Sequence, residues 1–246
     1  MHFSRATTRW RLYTCWTITI LRLQYVKESR RETGANSISQ FLITVGYQLF
    51  FFAIAFTFKF DKLTDFAGGT NFVVLAIITL AWSAARDNAR NIVVSLFIMV
   101  WGARLSGFLL FRILKTGKDD RFDDKRDNFF KFLGFWVFQM FWVWTVSLPV
   151  TLLNSPNITQ YGQPNFGTGR DIAGVILYSI GLFMESVSDI QKYRFRSKHQ
   201  KDGAVCNVGL FRFTRHPNYF GEIIIQFCKL TESQDCRRTL TFQPSS

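Results

Sequence analysis

Glu185, Asp189, Lys192 and Arg196 are spaced four, three and four residues apart. On a helix this spacing puts all four in one stripe, running from two carboxylates to two cations. Such a stripe can wall a ligand, with carboxylates accepting from hydroxyl or amide groups and cations taking phosphates. The same spacing also describes ion pairs on a solvated face, each worth about 0.2–0.5 kcal/mol. A second constellation is Gly-Leu-Phe-Arg-Phe-Thr-Arg-His-Pro-Asn-Tyr-Phe-Gly-Glu-Ile over 209–223. Pro217 suits a first helical turn because it has no N–H to leave unbonded. Asn218 and Glu222 would then share a face. Arg215 and His216 would stand at the positive end of the helix dipole, where anions bind. The plainer reading of this segment is an amphipathic re-entry helix with ordinary capping. No metal site is expected: the four cysteines form no CxxC pair, and the three histidines (His2, His199, His216) are scattered. The usual zinc spacing is therefore missing.

These residues need elements to hold them, and the composition says which kind. The chain has 246 residues, 48% hydrophobic, with 28 Phe and a net charge of +13. That excludes a disordered chain, and the cysteine count excludes a disulfide-stapled miniprotein. In a soluble protein the charge would suggest nucleic acid. Here it is segregated from long apolar runs, so basic loops facing an anionic membrane leaflet are expected and nucleic acid is not. The runs are 41–58, 66–82, 92–111, 129–153 and 171–187. They are continuous rather than alternating, which favours helices over strands. A span needs roughly 20 apolar residues, so the second and fifth are short. The expected fold is all-α, a polytopic membrane helix bundle of about five spans plus an incomplete sixth. Buried core helices of a soluble protein are the alternative.

Loop charges orient the bundle. Residues 112–128 hold six basic side chains and 190–217 hold seven, whereas 154–170 hold only Arg170. The positive-inside tendency puts 112–128, 190–217 and 59–65 in the cytoplasm and 83–91 and 154–170 on the other side. Residues 1–40 carry seven basic side chains and fit that alternation poorly. They are read as a basic, poorly ordered leader, and the acid-free first 27 resemble an organelle transit peptide. Residues 41–228 form the membrane domain and 229–246 a polar tail.

Ionisable groups inside spans are costly and usually functional. Arg104 lies about two turns from the cytoplasmic end of the third run, at a depth similar to Glu185 and Asp189. Snorkelling explains a long Arg near a helix end better than it explains two short acids. Segment 112–128 mixes its six cations with five aspartates. It is either a solvated loop or a lid whose arginines reach an anionic cofactor.

The run Arg215-His216-Pro217-Asn218-Tyr219-Phe220-Gly221-Glu222 resembles the signature of the steroid 5-alpha reductase C-terminal domain family. Membrane sterol reductases of the carbon-14 and carbon-24 type carry a similar stretch. Asp65-Phe66-Ala67-Gly68-Gly69-Thr70-Asn71-Phe72, Trp101-Gly102-Ala103-Arg104-Leu105, Gly117-Lys118-Asp119-Asp120-Arg121-Phe122-Asp123 and Glu185-Ser186-Val187-Ser188-Asp189-Ile190-Gln191-Lys192 are similar to an uncharacterised branch of that family. The resemblance covers about 41 to 228. It implies a multi-span protein of the endoplasmic reticulum that transfers a hydride from NADPH to a carbon–carbon double bond of a lipid or sterol-like substrate. Glu185, Asp189 and Arg196, with Lys192 beside them, would hold the adenosine and phosphate portions of the nucleotide. Asn218 and Glu222 would meet its nicotinamide end. Arg104, Arg112, Lys118, Arg121 and Arg215 would be phosphate partners. Tyr219 or Glu222, and less readily His216, would supply the proton; for Glu222 that requires a carboxyl kept protonated by burial.

Two features depart from the pattern. Steroid-active members carry a Gln-Glu pair in an early helix, and no such pair occurs between 41 and 82. After Ile223–Lys229 the chain turns polar, where the family continues into another span; a truncated or alternative ending is expected. Two other readings follow. One is an S-adenosylmethionine-dependent membrane methyltransferase of the isoprenylcysteine or phospholipid type, which shares an RHPxYxG-like motif. The other is an inactive truncated isoform with a structural or regulatory role.

Overall fold

The structure is a computed structural model that describes residues 32–59, 63–83, 86–116, 128–155, 166–199 and 204–228. Among these every regular element is helical. In order they are α1 (Glu32–Thr57), α2 (Leu63–Ala81), α3 (Ala89–Thr116), α4 (Phe129–Leu153) and α5 (Gly169–Lys198). A 3₁₀ turn (Gly209–Arg212) and a helix α6 over 217–228 follow. All of α1 to α5 are long and apolar enough to cross a membrane. Helix is the form an isolated apolar run must take in lipid, because it satisfies its own backbone N–H and C=O groups.

Apolar side chains cover the outside as well as the core, and several polar ones are buried with the core. Leu42, Phe50, Ile77, Leu96, Phe138, Ile176 and Phe183 are exposed, whereas Gln40, Thr44, Gln48, Asn71, Ser95, Gln139 and Asn154 are buried. Exposed apolar faces on this scale belong against lipid, which supports an integral membrane protein over the soluble alternative. The helices also outrun the apolar stretches. The second run becomes 19 helical residues and the fifth becomes 30. Hydropathy marks where the hydrocarbon ends, but helical hydrogen bonding continues past it through polar residues. Likewise α1 begins at Glu32, nine residues before the apolar run at 41. Residues 1–31, 117–127 with Lys118 and Arg121, and 229–246 lie outside the described residues, and with them most of the expected leader and the expected polar tail.

The chain divides into two compact units. One contains α1 to α4; the other contains α5, the 3₁₀ turn and α6. In the first, α2 packs most closely on α3. A Cβ at Gly69 would lie 2.6 Å from the Ser106 Cβ, and one at Gly102 would lie 2.9 Å from the Gly69 carbonyl oxygen. Small residues thus let the two backbones meet, as lipid-embedded helices commonly require. Just beyond, the rings of Phe72 and Trp101 are 5.0 Å apart. An aromatic cluster of Phe52, Phe132 and Trp136 joins α1 to α4.

Two buried polar knots tie the same unit. Gln139 Nε2 donates to the Thr64 carbonyl (2.9 Å) and to Gln48 Oε1 (3.0 Å). A carbonyl only accepts, so Thr64 orients the Gln139 amide, and Gln139 in turn orients Gln48. Near the other end, Asn154 Nδ2 donates to Thr79 Oγ1 (3.2 Å) and Ser95 Oγ (3.1 Å), and Asn154 Oδ1 accepts from Asn91 (3.0 Å). With 64 meeting 139 and 79 meeting 154, α2 and α4 run parallel.

The α2–α3 contact yields a stability prediction. Gly69→Ala must push the backbones apart, at a cost of about 1–3 kcal/mol. Gly107→Ala, on α3 with nothing within 4 Å of its added methyl, is expected to be neutral or to gain up to about 1 kcal/mol. Thermal unfolding of the two variants in detergent checks the contrast.

Candidate functional site

The second unit gathers most of the residues with chemical potential. Its first helix, α5, starts at a capping box. Thr168 Oγ1 accepts from the Asp171 N–H, and Asp171 Oδ2 accepts from the Gly167 and Thr168 N–H groups at 2.9 Å each. Asp171 is therefore buried as a cap, with its carboxylate taken up by the helix start. From there the buried face of α5 runs Gly174, Tyr178, Gly181, Glu185 and Ser188, at the three- and four-residue spacing of one helical side.

That face meets α6 backbone to backbone. A Cβ at Gly221 would lie 2.6 Å from the Gly181 carbonyl oxygen and 2.9 Å from the Glu185 amide nitrogen. A Cβ at Gly181 would lie 2.8 Å from the Gly221 carbonyl oxygen. The crossing admits only hydrogen at both positions, and it lays Glu185, 4% exposed, directly over α6. One turn along, Asn218 Nδ2 donates to Asp189 Oδ1 at 3.5 Å. An ionised carboxylate only accepts, so this contact orients the Asn218 amide with its nitrogen toward Asp189. Asn218 Oδ1 is then left buried, without a hydrogen-bond partner among the described residues.

The lead-in to α6 is fastened separately. Gln191 Oε1 accepts from the Leu210 N–H at 3.0 Å. The Gln191 amide fills the space a Cβ on Gly209 would take, and Gly209 has φ of +58°, a left-handed conformation that favours glycine. Past the turn, the His216 ring stacks on Tyr219 with centroids 4.9 Å apart and planes 8° from parallel. Pro217 opens α6 inside its first turn. Its missing N–H falls where a helix has no acceptor to offer.

The structure thus brings together Glu185, Asp189 and Asn218. His216, Tyr219 and Glu222 lie on the same short stretch of α6 and its entry, all half-buried. Lys192 continues the α5 stripe half-buried, while Arg196 and Arg215 are exposed. Arg104 and Arg112 belong to α3 in the first unit. The Arg104 guanidinium lies 5.7 Å from the Phe108 ring centroid. Arg112 Nη2 is 3.7 Å from Asp65 Oδ2, a half-exposed pair of small energetic weight. Sequence spacing did not single out Gly181 or Gln191. The signal available for Gly181 was its place four residues before Glu185, on the stripe that α6 covers. No group of three metal-ligating side chains occurs among the described residues.

Chemically, the cluster offers two carboxylates that accept hydrogen bonds, one buried amide oxygen that lacks a donor, and cations within a few turns. Donor-seeking oxygens thus stand on the same elements as anion-seeking side chains. This arrangement matches a ligand that carries hydroxyl or amide N–H groups at one place and phosphate at another.

Residues 51–234 match the model of DUF1295, described as a protein family of unknown function. The match spans most of the chain, which therefore belongs to the DUF1295 family, membrane proteins related to steroid 5-alpha reductase. No curated protein and no solved structure matches the chain.

The Asp189–Asn218 contact is testable by a double-mutant cycle. Asp189→Ala and Asn218→Ala should couple by about 0.6 kcal/mol, typical of polar contacts between membrane helices. In a Gly221→Ala background, where α6 must shift, unfolding measurements should find that coupling lost.

Proposed function

We propose that this DUF1295 member is a membrane oxidoreductase that transfers a hydride from NADPH to a carbon–carbon double bond of a lipid or sterol-like substrate. The observation that carries the reading is Asn218 Oδ1, a buried acceptor oriented by Asp189 and lacking a donor among the described residues. A buried unsatisfied polar atom costs about 1–3 kcal/mol, and a carboxamide N–H or a ribose hydroxyl would satisfy it. The donor set fits the cofactor. Glu185 and Asp189 accept from hydroxyl and amide groups, and Arg196, Lys192 and Arg215 supply cations for phosphates.

When bound, NADPH would supply a hydride to one carbon of the alkene. Glu222 or Tyr219 gives a proton to the other carbon and regains one from water. Stacking against His216 fixes the plane of the Tyr219 ring. Asn218 and Glu222, four residues apart on α6, orient the reacting end, while the α5 stripe holds the remainder. Arg104, Arg112, Lys118 and Arg121 carry no part of this reading: the first two belong to the other unit and the last two lie outside the described residues. The proposal includes the endoplasmic reticulum membrane, which colocalisation of the tagged chain with a marker of that organelle checks.

The first test is the thermal stability of detergent-solubilised protein with NADPH and, separately, with S-adenosylmethionine. A ligand that binds only the native state raises apparent stability. Stabilisation by NADPH alone supports the reductase, and stabilisation by S-adenosylmethionine replaces it with the methyltransferase. Absence of both shifts leaves the structural or regulatory reading. Asn218→Ala should weaken NADPH binding about tenfold, the equivalent of one hydrogen bond. Glu222→Gln, assayed on lipid alkenes, should lower turnover by about 10²–10⁴ if Glu222 is the acid. Unchanged turnover would move that role to Tyr219.

A further inference from the structure

The two most exposed large apolar side chains among the described residues are Phe213, 88% exposed, and Val205, 85% exposed. Neither lies on a membrane span. Both belong to the stretch that carries the 3₁₀ turn, where Phe211 is buried, Val208 is exposed and Arg212 points to solvent. The hydrogen bond from the Leu210 N–H to Gln191 and the packing of Gly209 on the Gln191 amide fasten this turn to α5. The depth of Gln191 therefore sets the depth of the turn. Gln191 is 22 residues beyond Gly169, the first residue of α5, which is about 33 Å along the helix. The hydrocarbon core is about 30 Å thick. The turn is thus held where α5 leaves the hydrocarbon, on the side that the basic loops assign to the cytoplasm. Past that level α5 exposes Arg194 and Lys198.

Apolar side chains facing outward beside arginines at headgroup depth make an interfacial surface. We infer that residues 204–213 are a membrane-interface anchor, with Phe213 and Val205 in the acyl–headgroup boundary and Arg212 on the phosphates of anionic phospholipids in the cytoplasmic leaflet. Charge complementarity names the occupant: a neutral leaflet would take Phe213 and Val205 but would give Arg212, Arg194 and Lys198 no counter-charge. The inference rests on the membrane reading of α5 and not on the cofactor.

The full chain in nanodiscs tests it. A spin label at Phe213→Cys, with the native cysteines replaced by serine, should collide with oxygen and be shielded from a water-soluble nickel chelate. A label at Lys198→Cys should show the reverse. Adding phosphatidylserine to phosphatidylcholine should deepen the label at 213. With native cysteines kept, Arg212→Gln should lower the enrichment of phosphatidylserine around the protein about fivefold. Phe213→Ser should lower the retention of both lipids at that surface without lowering thermal stability, since its side chain has almost no protein contact to lose. Equal chelate access at 213 and 198 overturns the anchor. Shielding at 213 that is indifferent to phosphatidylserine and to Arg212→Gln overturns the assignment to anionic lipid.

Discussion

The candidate site depends on one close approach. At Gly181 and Gly221 the backbones of α5 and α6 come within the distance that a single Cβ would fill. Because the backbones touch there, the side chains one turn away are forced into contact across the crossing. Glu185 is sealed against α6, and Asp189 reaches Asn218. If the helices stood apart by the ordinary separation of Leu-packed pairs, both carboxylates would face open space and behave as surface acids. Small residues are the usual means of close packing in lipid, where apolar side chains gain nothing by leaving the tails. In this unit the same device also aligns polar groups.

The first unit uses the principle twice over. Gly69 and Gly102 bring α2 against α3, and amides then tie α4 to both members of that pair and to α1. Gln139 sits inside a long apolar run and Asn154 caps its end, both buried, where an unpaired amide would be expensive. Each has several partners on other helices. Such knots specify register more than they add stability, because the unfolded helix in a membrane also finds partners for its polar groups. The parallel alignment of α2 with α4 is their visible result.

Much of the architecture was legible in the residues. Five continuous apolar runs led to five long helices, because lipid leaves a chain of this composition no other way to satisfy its backbone. The stripe at 185, 189 and 192 was legible as helical spacing, and the segment from Arg215 to Glu222 as a capped helix entry. Spacing was ambiguous between a ligand wall and a solvated face, since both obey the same periodicity. Helix ends were legible only to within several residues: α5 runs eleven residues past its apolar stretch to Lys198, because polar side chains prolong a helix once it is in the headgroups.

What the sequence by itself determined is therefore the membrane class and the helical content. These are local properties, set by hydropathy and helical periodicity. Only the tertiary structure decided that Glu185 is buried while Arg196 is exposed, that Asn218 turns its nitrogen to Asp189 and keeps a buried oxygen without a donor among the described residues, and that Gln191 fastens the 3₁₀ turn. Each of these depends on which residue of α6 or of the turn lies opposite which residue of α5. That register is set by the absence of side chains at two glycines, a constraint between positions forty residues apart that no local pattern contains.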